Sequence, residues 1–443
     1  MTNYDYDVLY LGSGHAAFDG APLLTAQGKK VAFVEKEKVG GTCPNWGCNA
    51  KILLEAPVEV QRQIRASDGV IAGDGSIDWS KNQAHKRSVI DGLPNALQGM
   101  LEDAGVEYLF GDGKFLDPHT IQVGDKTVTA DKVVIATGMH SHRLDIEGKE
   151  LMHDSRDFLA LAKMPESMVV IGSGYIAMES ASMAHAAGAD VTVIMRGDQA
   201  LKSFSKEYSD RLVAKMEADG IEFKKATQTE SVQQKSDGLL VKTNHGDIQT
   251  KWVLDATGRV PNTEGIGLDE IGVAYDEHGI QVNDHLQTSI DNIYAAGDVL
   301  AKKQPKLTPT ATFESQYLAG LFNGDDKAID YPAIATTVFT SPRIAQAGVT
   351  VAEAKAHPDD YKIVEKDVMG DWYRLVDYET EGSITLIYNQ QQQLVGATEI
   401  SEHAEDVINA LLPAIEFGYT PAQLQRLVTI FPSIGYSAFG ELG

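Results

Sequence analysis

The chain has 443 residues, the length of about three domains, and its 43% apolar content is ample for buried cores. Its 38 basic against 63 acidic residues give a net charge of −25 and a pI near 4.8, which argues against nucleic acid or an anionic membrane surface as a partner. No stretch approaches the roughly 18 apolar residues of a membrane span, and the opening MTNYDYDVLYLGSG lacks the basic region of a signal peptide; a cytoplasmic protein is expected, where a disulfide is more often transient than structural.

The first element is YDVLYLGSGHAAFDGAPLLTAQGKKVAFVEKE. A buried strand, Tyr6–Leu11, leads into Gly12, Gly14 and Ala17, then a helix, then a strand ending at Glu35. The glycines let backbone N–H groups approach a pyrophosphate at a helix N-terminus. Glu35, 23 residues after Gly12, stands where an acid accepts from ribose hydroxyls. Pro22 falls inside this helix and is expected to bend it.

GTCPNWGCNAK follows, with the only two cysteines, Cys43 and Cys48. On an undistorted helix, positions i and i+5 are roughly 8–9 Å apart at Cα, and a disulfide needs less than about 7 Å. The pair therefore closes only if the backbone bends between the cysteines, as Pro44 and Gly47 permit. So short a loop gains little as a structural staple, and a zinc site needs more ligands nearby. Paired thiols in an otherwise thiol-poor chain point to exchange chemistry; two buried free thiols are the alternative.

KVVIATG (Lys132–Gly138) is a short strand reaching a turn. MVVIGSGYIAMESASMAHAAGADVTVIMRGDQALKSF then repeats the first pattern: a strand, Gly172, Gly174 and Ala177, a helix, and a strand ending near Met195. No acid closes this second strand. Arg196 follows, with Lys202 six residues on, and a basic residue here suits a ribose 2′-phosphate, favouring NADPH over NADH; a solvated surface charge is the alternative for Arg196. WVLDATGRVPNT (Trp252–Thr263) is another strand and turn, and TSIDNIYAAGDV (Thr288–Val299) delivers Asp298 after Gly297. From about Tyr331, the runs TTVFTSPRIAQAGVT, SITLIYN and QLVGATEI and the helix HAEDVINALLPAIEFG predict an antiparallel α+β domain.

In this order GxGxxA, GGTCxNxGCxxK, ATG, GSGYIAxE, GRxPNT, AAGDV and TPxA resemble the pyridine nucleotide–disulfide oxidoreductases, the flavoprotein group of glutathione reductase, dihydrolipoamide dehydrogenase and mercuric reductase. The likeness runs from Asp5 to about Tyr436. It implies an α/β fold with two Rossmann-like domains and a C-terminal α+β dimerisation domain, arranged as residues 1–145 and 263–330 for FAD, 146–262 for NADPH and 331–443 for a homodimer interface. It further implies that Cys48 is the flavin-proximal thiol, that Cys43 attacks the acceptor, and that Lys51 and Glu179 are an ion pair beside the flavin. FAD contacts are expected at Gly12, Gly14, Ala17, Glu35, Lys36, Gly41, Thr42, Thr137, Gly138, Gly297 and Asp298. The nicotinamide nucleotide is expected at the second turn, Gly172 and Gly174, and at Arg196 and Lys202, with Tyr175 an aromatic gate covering the flavin until nicotinamide binds; further cofactor contacts are expected at Ile176, Gly258 and Arg259. No metal is expected.

The C-terminus departs from the family. Where the family has HPxxxE, whose His protonates the leaving thiol and whose Glu orients it, this chain has FPSIGY. Phe431 replaces the His and cannot move a proton; Tyr436 replaces the Glu and is the catalytic candidate left at this end of the chain, although a phenol, titrating near 10, is a poor acid–base at neutral pH. Only seven residues follow Tyr436, so the usual closing helix is expected to be absent. The arginines by which glutathione reductases hold their tripeptide are replaced by Pro22 and Gln316. His15 is a candidate substitute proton donor, against the plainer role of lining the phosphate turn. The implied activity is electron transfer from NADPH through FAD and the Cys43–Cys48 disulfide to a small disulfide. The alternatives are a quinone or metal-ion reductase and a redox-sensing flavoprotein.

Overall fold

The computed structural model describes residues 4–442. They form two compact units, each drawn from three chain segments: residues 4–53, 84–142 and 259–331 make the first, and residues 54–83, 143–258 and 332–442 the second.

In the first unit, near-continuous apolar runs mark strands buried on both faces. Val106–Phe110, Val31–Glu35, Tyr6–Leu11 and Lys126–Ile135 pair in parallel in that order, and Ile293–Ala295 joins the far side of Lys126–Ile135. The long strand Lys126–Ile135 serves twice, since its first residues also close an antiparallel meander with Thr120–Val123 and Gly113–Asp117.

The helix after the first strand is not bent at Pro22, as expected, but broken before it. α1 (His15–Phe18) stops, and α2 (Ala21–Thr25) starts with Pro22 in its first turn, where a missing N–H costs nothing. The break lies at Gly20, whose N–H donates to Ser315 Oγ at 2.9 Å while that hydroxyl donates to Ala17 O. A Cβ on Gly20 would sit 2.2 Å from Ser315 O, so close packing against the helix Thr308–Phe322 fixes the interruption.

The second unit repeats the strand order of the first. Glu222–Lys224, Asp190–Ile194, Ser167–Ile171 and Trp252–Asp255 pair in parallel, and Thr229–Lys235, Gly238–Thr243 and Gly246–Thr250 form the accompanying antiparallel meander. It also contains the expected antiparallel sheet, in the order Thr336–Val338, Arg343–Gly348, Leu394–Ser401, Ser383–Asn389, Tyr361–Asp367. The helix Ala404–Phe417 buries Val407, Ile408, Leu411 and Ala414 against it. The closing helix is present after all: Ile434–Gly440 is helical, capped by Ser433, and packs Ala438 into the same core. No helix among the described residues is long and apolar enough to cross a membrane.

Candidate active site

The bend between the cysteines falls at Gly47. α3 (Thr42–Trp46) carries Cys43 and takes Pro44 into its first turn; Gly47 leaves helical geometry at φ −135°, ψ −121°; and Cys48 is the first residue of the 19-residue α4 (Cys48–Ala66). A Cβ on Gly47 would lie 2.9 Å from Thr42 O, so the kink is tight enough to need glycine. Both sulfurs are free thiols.

Their acidities are split. The Cys43 thiol donates to Cys48 sulfur, and this bond, with burial, pushes Cys43 above its ordinary range. The same bond holds Cys48 down to about 6; the hydroxyl of Thr308, 3.4 Å from its Sγ, and the charge of Lys51 act in the same direction, against burial. A thiol at a helix N-terminus is further favoured as thiolate. Lys51 follows Cys48 by three residues on α4, one turn along the same face. Thr308 was missed as a site residue although TPxA was among the motifs; it begins the helix Thr308–Phe322.

Glycines shape both dinucleotide turns alike. Gly12 takes φ +107° and a Cβ there would lie 2.4 Å from Ala136 O; Gly172 takes φ +128° and its Cβ would lie 2.3 Å from Ala256 O. Each turn is thus pressed against the ATG that ends another strand of its own sheet. Gly14 and Gly174 precede their helices at N-cap positions, with no atom closer than 4.0 Å to a Cβ on Gly14 and none within 4 Å of one on Gly174. A Cβ on Gly41 would come within 3.0 Å of Gly14 Cα, so this face of the first turn is bare backbone. Ala17 is fully buried beneath it.

Glu35 is buried at the end of its strand. Its Oε2 accepts from Ser13 Oγ at 2.6 Å and Ser13 N at 3.2 Å, and its Oε1 accepts from Glu37 N at 2.8 Å. Lys36, beside it, is exposed, and Thr42 opens α3. Thr137 Oγ1 donates to Asn262 O while Asn262 Nδ2 donates to Thr137 O, locking the first ATG turn, with Gly138 at φ +68°. Asp298 Oδ2 accepts from Arg259 Nη1 at 2.8 Å, and Arg259 Nη2 donates to Met139 O. Arg259, expected to contact a cofactor, is the ion-pair partner of Asp298. Glu314, another residue that the motifs did not flag, holds this turn: its fully buried carboxylate accepts from Gly297 N at 2.7 Å, Lys302 Nζ at 2.5 Å and Tyr331 OH at 2.7 Å.

In the second unit, Tyr175 is half-buried, edge-on to Phe204 with ring centroids 5.7 Å apart, its hydroxyl 3.3 Å from Ser203 Oγ; Ile176 follows it in the first turn of the helix Tyr175–Ala186. Arg196 and Lys202 are exposed, and the Lys202 Nζ would lie 3.9 Å from a Cβ on Gly197, so both cations flank the same turn. Gly258 has open space around it. Glu179 is buried and accepts from Phe339 N at 3.0 Å. His15 is tied through Nδ1 to Asp19 at 2.8 Å, and Asp19 also accepts from Thr312. Phe431 and Tyr436 pack edge to face, 4.9 Å apart at their centroids, and are 64% and 46% exposed.

Residues 6–315 match the sequence model for pyridine nucleotide-disulphide oxidoreductases, and residues 334–438 match that family's dimerisation domain. The chain belongs to this family. A mercuric reductase of Staphylococcus aureus is 34% identical over 432 residues, covering 94% of this chain and 78% of the relative. A dihydrolipoyl dehydrogenase of Bacillus subtilis and a glutathione reductase of a Nostoc species are each 30% identical, covering 97% of this chain and 94% and 98% of those proteins.

As a pyridine nucleotide-disulphide oxidoreductase the chain is an NAD(P)H-dependent flavoenzyme that uses FAD. The two bare glycine turns, each opening a helix, fit a pyrophosphate apiece, and the paired hydrogen bonds at Glu35 and Asp298 hold these acids beside the first turn's sheet. The two turns are separable by substitution. With FAD on the first turn and the nicotinamide nucleotide on the second, as the sequence motifs lead one to expect, Gly12→Ala should give flavin-poor protein, read as a fall in the ratio of flavin to protein absorbance, and Gly172→Ala should keep its flavin but raise the KM for the nicotinamide nucleotide. Both follow from a Cβ forced against a carbonyl at positive φ.

Proposed function

We propose that the enzyme oxidises NADPH and reduces a small disulfide through the Cys43–Cys48 pair. The observation that supports this most is the split acidity of two adjacent thiols across the Gly47 kink. When bound, FAD carries two electrons from the nicotinamide to this pair. Cys48, held as thiolate by Cys43, Thr308 and Lys51, is the flavin-side sulfur; Cys43, on the short α3, is the exchange thiol. Cys43, passing its proton to the Cys48 thiolate it is hydrogen-bonded to, attacks one sulfur of the acceptor; the expelled thiolate takes that proton from Cys48, and Cys48, again a thiolate, attacks Cys43 Sγ, re-forming the disulfide and releasing the second thiolate, which takes a proton from solvent. The sum is NADPH, a proton and one disulfide giving NADP⁺ and two thiols. We further propose the division into residues 1–145 and 263–330 for FAD, 146–262 for NADPH and 331–443 for a homodimer interface, and a cytoplasmic location.

Phe431 favours a second reading. A quinone or a metal ion needs no proton donor to a leaving thiol, and an exposed phenyl ring offers none. Anaerobic titration with NADPH followed by candidate acceptors separates the two. Turnover with small disulfides supports the first; turnover only with quinones or metal ions supports the second; reduction that no acceptor reverses leaves a redox sensor.

Arg196 and Lys202 support NADPH over NADH. Arg196→Glu is expected to reverse the preference, because it removes a charge-assisted bond to the 2′-phosphate worth roughly 1.5–3 kcal/mol. The ratio of kcat/KM for the two nucleotides should move by roughly 10- to 150-fold. An unchanged ratio would place the phosphate elsewhere.

A further inference from the structure

The dimerisation sheet carries a cluster that redox chemistry does not use. Asp377 follows the short helix Trp372–Val376, and His403 precedes the helix Ala404–Phe417. Between Asp377 and Glu379, Tyr378 takes a left-handed φ of +57°. One ligand atom from each of Asp377, Glu379 and His403 lies within 4.8 Å of the others. His403 Nε2 is 2.8 Å from Asp377 Oδ2 and 4.0 Å from Glu379 Oε1.

Glu379 decides the matter. Its side chain has no solvent exposure. Oε2 is occupied, accepting from Arg374 Nη1 at 3.0 Å and Glu402 N at 3.2 Å, whereas Oε1, turned toward His403, has no hydrogen-bond donor. A buried carboxylate oxygen without a partner is costly.

The surroundings are also short of positive charge. Among the described residues, Asp377, Glu379, Glu399 and Glu402 are ion-paired with two guanidiniums, those of Arg62 and Arg374; Arg343 also acts on Glu402 but is itself paired with Glu55, Glu59 and Glu405. Gln63 donates to Asp377 Oδ1 at 3.2 Å. Glu399 Oε2 is likewise buried without a donor.

We propose that Asp377, Glu379 and His403 bind a first-row divalent cation, with Zn²⁺ the best match. One imidazole nitrogen and two carboxylate oxygens are a zinc-type donor set, while Ca²⁺ asks for six to eight oxygens. Three protein ligands leave a fourth position for water. Binding uses the neutral imidazole through Nε2, the nitrogen that faces Asp377 and Glu379. The ion clamps the Asp377–Glu379 turn to the start of the Ala404–Phe417 helix. Its two positive charges fill the local deficit, and because protons compete for the ligands its affinity falls in acid.

The test uses the full-length flavoprotein, stripped with chelator and kept oxidised so that Cys43 and Cys48 form a disulfide and cannot take up metal. Zn²⁺ alone is titrated against a chromophoric indicator. One ion per chain and a raised Tm are expected. Glu379→Gln, which keeps an acceptor for Arg374, and His403→Ala are expected to bind at least about 100-fold more weakly, since loss of a ligand exceeds the 10- to 100-fold typical of its supporting partners. Absence of saturable binding, or unchanged affinity in both variants, overturns the site. Should a variant fail to fold, crystals of the unaltered protein with Zn²⁺ decide. An anomalous peak between the three side chains supports the proposal, and a peak elsewhere or none defeats it.

Discussion

Replacing Cys43 by serine is expected to lower disulfide turnover by about 10⁴-fold or more, the scale on which loss of a nucleophile acts, while flavin reduction by NADPH stays fast. The serine hydroxyl can still donate to Cys48, so the hydrogen bond that contributes most to its low pKa is kept. The variant should therefore hold Cys48 as a thiolate against oxidised flavin and show a long-wavelength absorbance band. That band should fade as pH falls through about 6, because only the charged sulfur gives it. Cys48→Ser should lose turnover equally but show no band, since the sulfur assigned to the flavin side is then missing and Cys43 lies on the other side of the Gly47 kink. Stopped-flow reduction, steady-state turnover and a pH titration of the absorbance read all three. A band in both variants, or in neither, reverses or removes the assignment of the two sulfurs.

Restoring an acid–base pair with Phe431→His and Tyr436→Glu should raise turnover of ordinary disulfides by about 10²–10⁴-fold, the usual contribution of a positioned proton donor, without changing the rate of flavin reduction. The two rings already pack edge to face on neighbouring turns, 4.9 Å apart, and both are substantially exposed, so the new side chains meet little steric resistance. The glutamate is needed with the histidine because an imidazole that nothing orients can take the wrong tautomer. In the unaltered enzyme, oxidised glutathione should be a slow substrate. Rapid turnover would mean that another group already protonates the leaving thiol. His15 is a weak candidate, since its Nδ1 is committed to Asp19, which Thr312 also engages. Slow disulfides beside fast quinones or metal ions would instead favour the acceptor that needs no proton.

Local spacing in the sequence was enough to determine two dinucleotide turns, a bent cysteine pair and an antiparallel C-terminal sheet. A glycine pattern, an i to i+5 thiol pair and alternating apolar runs each constrain the backbone within a few residues, where helix and strand geometry leave few choices. What depended on distant segments was not legible. Gly20 breaks a helix because Ser315 packs against it, and the expected bend at Pro22 could not be distinguished from a break without that contact. The short helix Ile434–Gly440 is stabilised by its packing on Ala404–Phe417, so a count of remaining residues misjudged it. Thr308 reaches Cys48 across 260 positions, Glu314 holds Gly297 through a buried carboxylate, and Arg259 is claimed by Asp298. The Asp377, Glu379 and His403 cluster is likewise set by a turn and a helix start. In all of these the residue types are unremarkable in sequence; their roles arise only when sheet crossovers bring separate segments within hydrogen-bonding distance, where burial makes each unpaired polar atom costly enough to dictate its partner.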